Sequence, residues 1–524
     1  MTPERTINQA AERLAPLERA AFAAEWDLAT DGTPEREEAA EEAQVALEMA
    51  LADPALHDAA VAAERAEAAL VRRAATRLRL AAAGRQRPRE LTERIVALEV
   101  ELRSMYANHR CEVDGRTLTD NEVDEILRTS TDVELRRKTW EATRTIGART
   151  GPLLREVAHL RNAAAQALGH RDHYAMALAH DELDEGWLFD LLDGLDRDLR
   201  PTWEQEKAAI DDDLRAMLDL PAGEPLQPWH YQDRFFQEPP SPTVDPLHEA
   251  IAGTDVLEAA RRYFSDLGHD VDAVLARSDL HPRPGKDQHA FQLTVDRAQD
   301  VRVLVNLAPT VRWLETMLHE LGHAVYDLGI DPELHWLLRE PAHILMTEAI
   351  AMLHGRQARD AAFLERYAGV AGDVAGHPAN DVVRRRHLLV STPWIQVMSR
   401  FERDLYADPD ADHSARWWQL VERYQLVRRP PGDRQHDWAA KLHLAVAPVY
   451  YHNYLLGEVT ASQLLGWLEA QTGASSPAQA PAEYGRLLRD SVFSPGASVR
   501  WDALVERATG RPLDTRAFVD GLTR

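Results

Sequence analysis

Apolar residues recur at helical spacing through most of the chain. From Glu18 to about Leu218 the sequence is rich in Ala, Glu, Arg and Leu and contains few turn signals, so most of this stretch is predicted to be helix. The Ala/Glu-rich run from Glu35 to Ala83 leaves two interpretations open, a coiled coil or helices packed over the rest of the protein, and the second is favoured. Several prolines in Pro221–Pro246 predict a long loop, a candidate connection between lobes.

One segment alternates between apolar and polar residues instead. Between Lys286 and Leu307, apolar residues occupy every second position in two short runs, which predicts a two-stranded element. The runs consist of Phe291, Leu293 and Val295, followed by Val301, Val303 and Val305. The predicted fold class is therefore all-α, that is mainly helical, with one small β-hairpin.

The length of the chain favours more than one lobe. A chain of 524 residues, 45% of them hydrophobic, can bury a large core. Above about 250–300 residues such a chain is expected to divide. We place the division near residue 220, so that residues 1–220 form a mostly helical N-terminal lobe and cover and residues 221–524 form the second part.

Charge and cysteine content narrow the class of protein. The formal net charge of −26 disfavours nucleic-acid binding, because phosphate recognition relies on clustered Lys and Arg. Cys111 is the single cysteine, so no intramolecular disulfide is expected. The start Met1–Arg5 lacks a signal-peptide pattern, and no apolar run approaches the roughly 18 residues of a membrane span. These features predict a cytoplasmic protein without nucleic-acid or membrane partners, and they leave the oligomeric state open.

Two histidines and a glutamate stand at metal-binding spacing in the helical run Val311–Leu328. In the pentapeptide His-Glu-Leu-Gly-His, His319 and His323 are four positions apart and therefore lie on one face of the predicted helix. Glu320 lies one step round the helix, where it can reach a water at the metal as general base. The pattern predicts a zinc peptidase site, and two helix histidines beside a surface glutamate are the alternative.

A catalytic zinc needs a third protein ligand and one open position. The downstream run Pro341–Leu353 is apolar helix interrupted by Glu348, and a charge in such surroundings needs a partner. We therefore predict one zinc ion per chain on His319, His323 and Glu348. A surface glutamate on an amphipathic helix is the alternative for Glu348.

These residues resemble the site of the angiotensin-converting-enzyme family of peptidyl-dipeptidases, which reads HEMGH and later HEAI. Here Glu348 follows His323 by 25 positions and is itself followed by Ala-Ile. The stretches Thr129–Leu178 and Leu102–Tyr106 also resemble helical segments of that family, whereas the thimet oligopeptidase and oligoendopeptidase family shares the HExGH plan. The resemblance implies a two-lobed helical peptidase for short peptides, with a deep central cleft under an N-terminal helical lid. The cysteine content is similar to that of soluble bacterial members.

A second block, from His436 onward, resembles the family segment in which Lys-x-His precedes two tyrosines. The resemblance implies that His443 and Tyr454 donate hydrogen bonds to the oxyanion, while Lys441 and Tyr451 hold the C-terminal carboxylate of the substrate. Because one extra residue separates the histidine from the tyrosines, Tyr450 could take either tyrosine role. An aromatic packing stripe is the alternative.

Two shorter matches suggest further substrate contacts. His289 and Ala290 stand 30 residues before the first zinc ligand and resemble the His-Ala of the family's edge strand, to which the peptide adds as another strand. A loop histidine in a hairpin is the alternative. Gln232, in Trp-His-Tyr-Gln, is similar to a family glutamine of the carboxylate clamp.

The chain departs from the family pattern at two positions. Met352 stands where the family usually carries an acid that orients a zinc histidine, so another residue must serve, and Glu315 and Asp327 are candidates on spacing alone. Asn453 occupies the position of an anion-binding arginine, which puts chloride activation in doubt.

The predicted activity is zinc-dependent hydrolysis of short peptides by a dipeptidyl carboxypeptidase. An oligoendopeptidase, a carboxypeptidase removing single residues and an inactive zinc-binding peptide scaffold are the alternatives. The presence of Glu320 argues against the scaffold, because a dead site does not need a general base.

Overall fold

A computed structural model describes residues 2–240 and 245–523. Across these residues the protein is mainly helical, with two small antiparallel sheets of two strands each, so the predicted fold class is confirmed. None of the described helices is long and apolar enough to cross a membrane.

The helices, in chain order, are α1 Pro3–Thr30, α2 Pro34–Leu51, α3 Pro54–Ala63, α4 Ala69–Ala83, α5 Arg89–Asn108, α6 Asp120–Thr129, α7 Val133–Arg144, α8 Gly147–Ala167, α9 His173–His180, α10 Glu185–Met217, α11 Leu247–Ile251, α12 Val256–Asp266, α13 Asp272–Arg277, α14 Val311–Gly329, α15 Ile344–Gly355, α16 Ala361–Arg366, α17 Gly372–Ala375, α18 Ala379–Ala407, α19 His413–Leu420, α20 His443–Val446, α21 His452–Thr472, α22 Pro481–Leu488, α23 Trp501–Thr509 and α24 Arg516–Thr523. The strands are β1 Cys111–Val113, β2 Arg116–Leu118, β3 Phe291–Thr294 and β4 Val301–Leu304.

The chain folds into two compact units, each made of three separate stretches. The first unit contains Met1–Gln86, Asp245–Val382 and Leu456–Phe518. The second unit contains Arg87–Val244, Val383–Leu455 and Val519–Arg524. A division of the sequence near residue 220 stays a prediction.

The N-terminal helices of the first unit begin at a repeated signal. Thr2, Thr33 and Asp53 each precede a proline, and each side chain accepts a hydrogen bond from a backbone N–H in the first turn of α1, α2 or α3. These starts divide the Ala/Glu-rich run into short helices, which excludes a continuous coiled coil. Apolar side chains of α1–α4 pack in one buried cluster with Leu337 and Leu338, as expected for helices that cover a core.

The predicted hairpin forms in the first unit. Strands β3 and β4 pair with Phe291 opposite Leu304 and Thr294 opposite Val301. The turn between them contains Arg297, whose guanidinium bonds to both carboxylate oxygens of Glu18 in α1 at 2.5 and 2.7 Å. The hairpin is therefore fixed to the N-terminal helices at its tip.

A second hairpin, β1–β2, lies in a stretch that the periodicity predicts to be helix. Its two-residue turn is Asp114-Gly115, with φ of +50° and +78°. Asp-Gly is a strong hairpin signal because both residues tolerate positive φ. The prediction that most of Glu18–Leu218 is helix holds, and this hairpin is a local exception, since three-residue strands leave almost no periodicity to detect.

The proline-rich loop Pro221–Pro246 contains only a short 3₁₀ turn, Pro228–His230, among its described residues, and residues 241–244 of the predicted loop lie outside the description. The buried guanidinium of Arg136 in α7 donates to the carbonyl oxygens of Trp229, His230 and Tyr231 at 2.9–3.0 Å. This arginine supplies the hydrogen bonds that an extended segment cannot make within itself.

Candidate functional site

Helix α14 brings the two motif histidines together. His319 Nε2 and His323 Nε2 lie 3.2 Å apart, with ring planes nearly perpendicular at 85°. Burial lowers the pKa of His319 to about 4, and burial beside His319 lowers the pKa of His323 as well. Both imidazoles are therefore neutral at pH 7 and present lone pairs, which is the form that binds a metal.

Glu348 of α15 completes a cluster of three ligand atoms. Its Oε2 lies 3.8 Å from His319 Nε2, and one ligand atom from each of the three residues lies within 4.8 Å of the others. Tetrahedral zinc with bonds of about 2.0–2.1 Å would separate its ligand atoms by roughly 3.3 Å. The spacing and the donor types, two imidazoles and a carboxylate, fit this ion.

A glycine allows the two ligand-bearing helices to approach each other. A Cβ atom on Gly322 would lie 2.8 Å from Ala351 Cα and 3.2 Å from the carbonyl oxygen of Ile350. Because real Cβ atoms do not come so close to backbone, only glycine permits this contact of α14 with α15. The glycine of the pentapeptide therefore helps to place Glu348 beside the histidines.

Glu320 lies next to the cluster in a buried, acidic environment. Burial, reinforced by the negative charge of Glu348, raises the pKa of Glu320 to about 8, and a hydrogen bond from the backbone N–H of Gln292 opposes this rise. A bound cation would oppose it further. A carboxyl group whose pKa lies close to 7 can both accept and donate a proton at neutral pH.

The segment that leads into β3 carries the predicted substrate contacts. His289 is exposed and Ala290 half-buried, and the two residues directly precede the strand whose Gln292 bonds to Glu320. The His289 backbone N–H donates to Asp287 Oδ1 at 2.9 Å. The structure thus places both residues beside a strand that touches the motif glutamate, and their role toward a substrate stays a prediction.

Lys441, in the second unit, is a buried cation surrounded by rings. Its Nζ lies 5.0 Å from the ring centre of Phe235, 5.1 Å from that of Trp394 and 5.5 Å from that of Tyr451. Its one hydrogen bond is to Gln237 Oε1 at 2.9 Å, and it forms no ion pair with any described residue. Burial lowers the pKa of this ammonium to about 8.

The predicted histidine and tyrosines form a chain of ring contacts that reaches this lysine through Tyr451. The His443 ring lies 5.0 Å from that of Tyr451, which lies 5.7 Å from that of Tyr454. Tyr450 also contacts Tyr454, at 5.1 Å between ring centres. Since both Tyr450 and Tyr451 neighbour Tyr454, the choice between their roles stays open, as do the predicted roles of His443 and Tyr454.

The amide beside Lys441 is a residue that the sequence did not suggest. Gln232 lies with its Nε2 3.3 Å from Met217 Sδ, whereas Gln237 bonds directly to Lys441. Gln237 is thus a second candidate for the clamp. Five positions separate the two glutamines, and no local pattern distinguishes them.

The comparisons with known proteins agree with this geometry. The family model described as Angiotensin-converting enzyme matches residues 3–219 and 254–520, which is most of the chain. The chain belongs to the angiotensin-converting enzyme family. The model described as Peptidase family M3 matches residues 126–329. A curated relative, thermostable carboxypeptidase 1 of Thermus thermophilus, is 25% identical over 421 residues, covering 70% of this chain and 72% of the relative.

Membership of the angiotensin-converting enzyme family makes the protein a metallopeptidase, a hydrolase of peptides, and both matched families are zinc-dependent. The cluster of His319, His323 and Glu348 supplies a ligand set for such an ion. The resemblance inferred from the sequence is thereby confirmed.

His323 has a hydroxyl partner, whereas Met352 occupies the position of the family acid, and the role of Glu315 stays a prediction. Met352 packs toward α21, where a Cβ on Gly457 would lie 3.1 Å from its Sδ. Asp327 accepts hydrogen bonds from Thr294 and Gln292 of β3, so it fastens the hairpin to α14. The partner of His323 is Thr347, whose Oγ1 lies 2.6 Å from Nδ1. The sequence feature that could have pointed to Thr347 is its hydroxyl immediately before Glu348, in an otherwise apolar run.

Proposed function

We propose that the protein is a dipeptidyl carboxypeptidase that recognises the C-terminal carboxylate of short peptides through Lys441. The observation that carries this proposal is the state of that lysine, a buried ammonium with no ion pair among the described residues. Burying a charge without an ion of opposite sign in contact with it is costly. A substrate carboxylate would supply the partner, and Gln237 and Tyr451 would share it.

The proposed chemistry assigns a role to each group at the metal-ligand cluster. When zinc is held by His319, His323 and Glu348, it supplies a Lewis acid for the peptide carbonyl and lowers the pKa of water toward ~7. Glu320 accepts the proton of the attacking water on its carboxylate and then delivers it to the nitrogen of the leaving amine. The family resemblance assigns the hydrogen bonds to the carbonyl oxygen, where negative charge develops, to His443 and Tyr454.

Replacing Glu320 by Gln tests the proton transfer. The variant should bind zinc with wild-type stoichiometry but lose most of its turnover, because the amide cannot accept the proton; general acid–base groups typically contribute roughly 10²–10⁴-fold. Near wild-type turnover in a zinc-loaded Glu320→Gln variant would show that another group is the base. Full loss of zinc in Glu348→Ala, and not in Glu365→Ala at an exposed glutamate of the same unit, would support the ligand assignment.

Pairs of peptides that differ only at the C-terminus test the recognition. Wild-type protein should cleave a free-carboxylate peptide with a much higher kcat/KM than its C-terminal amide, and Lys441→Met should abolish this preference. Lys207→Met is the matched control, since Lys207 is also a buried lysine of the second unit but is already paired with Asp211 at 2.7 Å. Equal cleavage of both peptides by the wild type would favour an oligoendopeptidase.

A second candidate is a carboxypeptidase that removes single residues, because the Thermus relative carries the name carboxypeptidase. It would need the same recognition of the carboxylate. The first products from a defined pentapeptide separate the two: a dipeptide and a tripeptide support the proposal, whereas a free amino acid and a tetrapeptide support the alternative.

A further inference from the structure

The segment between α20 and α21, residues 447–451, contains one strained residue. Val449 adopts φ +57°, in the left-handed region that β-branched residues strongly avoid. It is also buried, at 3% exposure, and Tyr450 and Tyr451 follow it immediately. Strain of this kind persists only where surrounding contacts hold it, and it concentrates at ligand clamps and functional sites.

The contact that holds Val449 comes from a buried acid. The carboxylate of Glu402, in α18, accepts a hydrogen bond from the Val449 backbone N–H at 2.9 Å. Glu402 is only 1% exposed. Burial raises the pKa of Glu402 to about 8, against the hydrogen bond from Val449. An apolar side chain would fill this space without the cost of taking a carboxyl group out of water, so packing alone does not account for an acid here.

Helix α20, which directly precedes this segment, is held by a buried base. Arg161 of α8 donates to the carbonyl oxygens of Leu444 and Ala445 at 3.1 and 2.7 Å, and its guanidinium also bonds to Tyr406 and Glu99. The chain is thus held just after His443 by an arginine and just before Tyr451 by a glutamate. Little freedom remains for the residues between them.

We propose that Glu402 is a positioning residue, whose carboxylate holds Val449 in its left-handed conformation and thereby sets Tyr451 against Lys441 and His443. Tyr451 is two positions from the strained residue, and its ring lies 5.0 Å from His443, 5.5 Å from Lys441 Nζ and 6.0 Å from Trp394. The inference rests on the proposed function, because the turn matters only if Tyr451 and Lys441 bind the C-terminal carboxylate of the substrate.

The test compares variants by one ratio, kcat/KM for a free-carboxylate peptide divided by kcat/KM for its C-terminal amide. Glu402→Leu leaves the Val449 N–H without an acceptor and should lower this ratio at least fivefold, mainly through KM for the free peptide. Glu402→Gln keeps an acceptor oxygen and should stay within twofold of wild type. The double variant Glu402→Leu with Val449→Gly should also have a ratio within twofold of wild type, since glycine adopts φ +57° without an anchor.

Thr392→Val is the matched control, because it alters a buried polar group of the same helix, bonded to the Leu388 carbonyl oxygen of that helix, without touching Val449 or Arg161. It should leave the ratio within twofold. Backbone amide exchange in residues 447–451 gives a readout independent of activity: it should accelerate in Glu402→Leu and return to the wild-type rate in Glu402→Gln.

The outcomes separate this inference from the proposed function. If Lys441→Met collapses the ratio but Glu402→Leu changes neither the ratio nor the exchange, the positioning role is overturned and the clamp stands. If Lys441→Met leaves the ratio unchanged, the clamp itself is wrong. If Glu402→Leu folds only in combination with Val449→Gly, the result supports Glu402 as the anchor of Val449. If neither the single nor the double variant folds, Glu402 acts on more than this turn and the proposed role is overturned.

Discussion

Thr347 and His323, on neighbouring helices, are joined by a contact of 2.6 Å between the hydroxyl oxygen and the ring Nδ1. When Nε2, which is directed toward His319 and the metal-ligand cluster, binds a metal ion, Nδ1 carries the ring proton and donates a hydrogen bond to the hydroxyl oxygen. Partners of this kind fix the tautomer and the direction of a ligand histidine. The hydroxyl thus contacts the ring of His323 on the side away from the metal-ligand cluster.

Replacing Thr347 by Val should weaken zinc binding about 10–100-fold, because the isosteric side chain cannot accept a hydrogen bond from the ring N–H of His323. Competition with a chelator at fixed pH measures the affinity. Thr347→Ser, which keeps the hydroxyl, is the control and should remain close to wild type. Equal zinc affinities for Thr347→Val and wild type would show that the hydroxyl does not contribute to zinc binding.

Replacing Gly322 by Ala should destabilise the first unit and lower its zinc affinity, because the new Cβ would meet Ala351 Cα at 2.8 Å and push α14 away from α15. Overpacking of this kind typically costs about 1–3 kcal/mol. Thermal unfolding and zinc titration provide the measurement. The control is Gly466→Ala in α21, where a Cβ meets nothing within 4 Å and should be neutral or slightly stabilising.

The KM for free-carboxylate peptides should rise as pH increases above about 8. Burial lowers the pKa of Lys441 to about 8, so the ammonium that attracts the substrate loses its proton in this range. The sign follows from the lysine being charged only below its pKa. Measurement of KM between pH 6.5 and 9.5 with N-acetylated peptides avoids titration of the substrate amine. A KM that stays flat for the free peptide, or rises equally for the amide, would contradict the prediction.

Asp327 should make the fold more stable on mild acidification. Burial raises its pKa from 3.8 to about 6, against hydrogen bonds from Thr294 and Gln292. A raised carboxyl pKa contributes stability that is complete below 3.8 and is lost as pH rises through about 6. Relative to Asp327→Asn, the metal-free wild type should therefore gain about 1 kcal/mol of unfolding free energy between pH 7 and pH 5. Urea unfolding at both values measures this, and parallel behaviour of the two proteins would refute it.

Periodicity and spacing predicted the parts of the molecule that are local in sequence. The helix that carries His319 and His323 and the β3–β4 hairpin follow directly from repeats of 3.6 and 2 residues. Glu348 could be predicted because a charge in an apolar run needs a partner.

The remaining features depend on which distant residues meet. Lys441 and Gln237 are 204 positions apart, and Glu402 and Val449 are 47 apart, so no window of sequence contains either pair. Thr347 is an intermediate case. It directly precedes the predicted ligand Glu348 in the sequence, but its partner His323 lies 24 positions away. A helix can be predicted from its own residues, whereas a hydrogen bond between helices requires the fold.

The interleaving of the two units bears on how the protein is made. The first unit contains all three ligands of the metal cluster within Asp245–Val382, yet it also needs Leu456–Phe518, where Gly457 lies against Glu348 and Met352. A nascent chain that has emerged as far as residue 382 therefore carries every ligand without the surface that supports them. Because the last of its three stretches ends at Phe518, nearly the whole polypeptide must be synthesised before this unit can close.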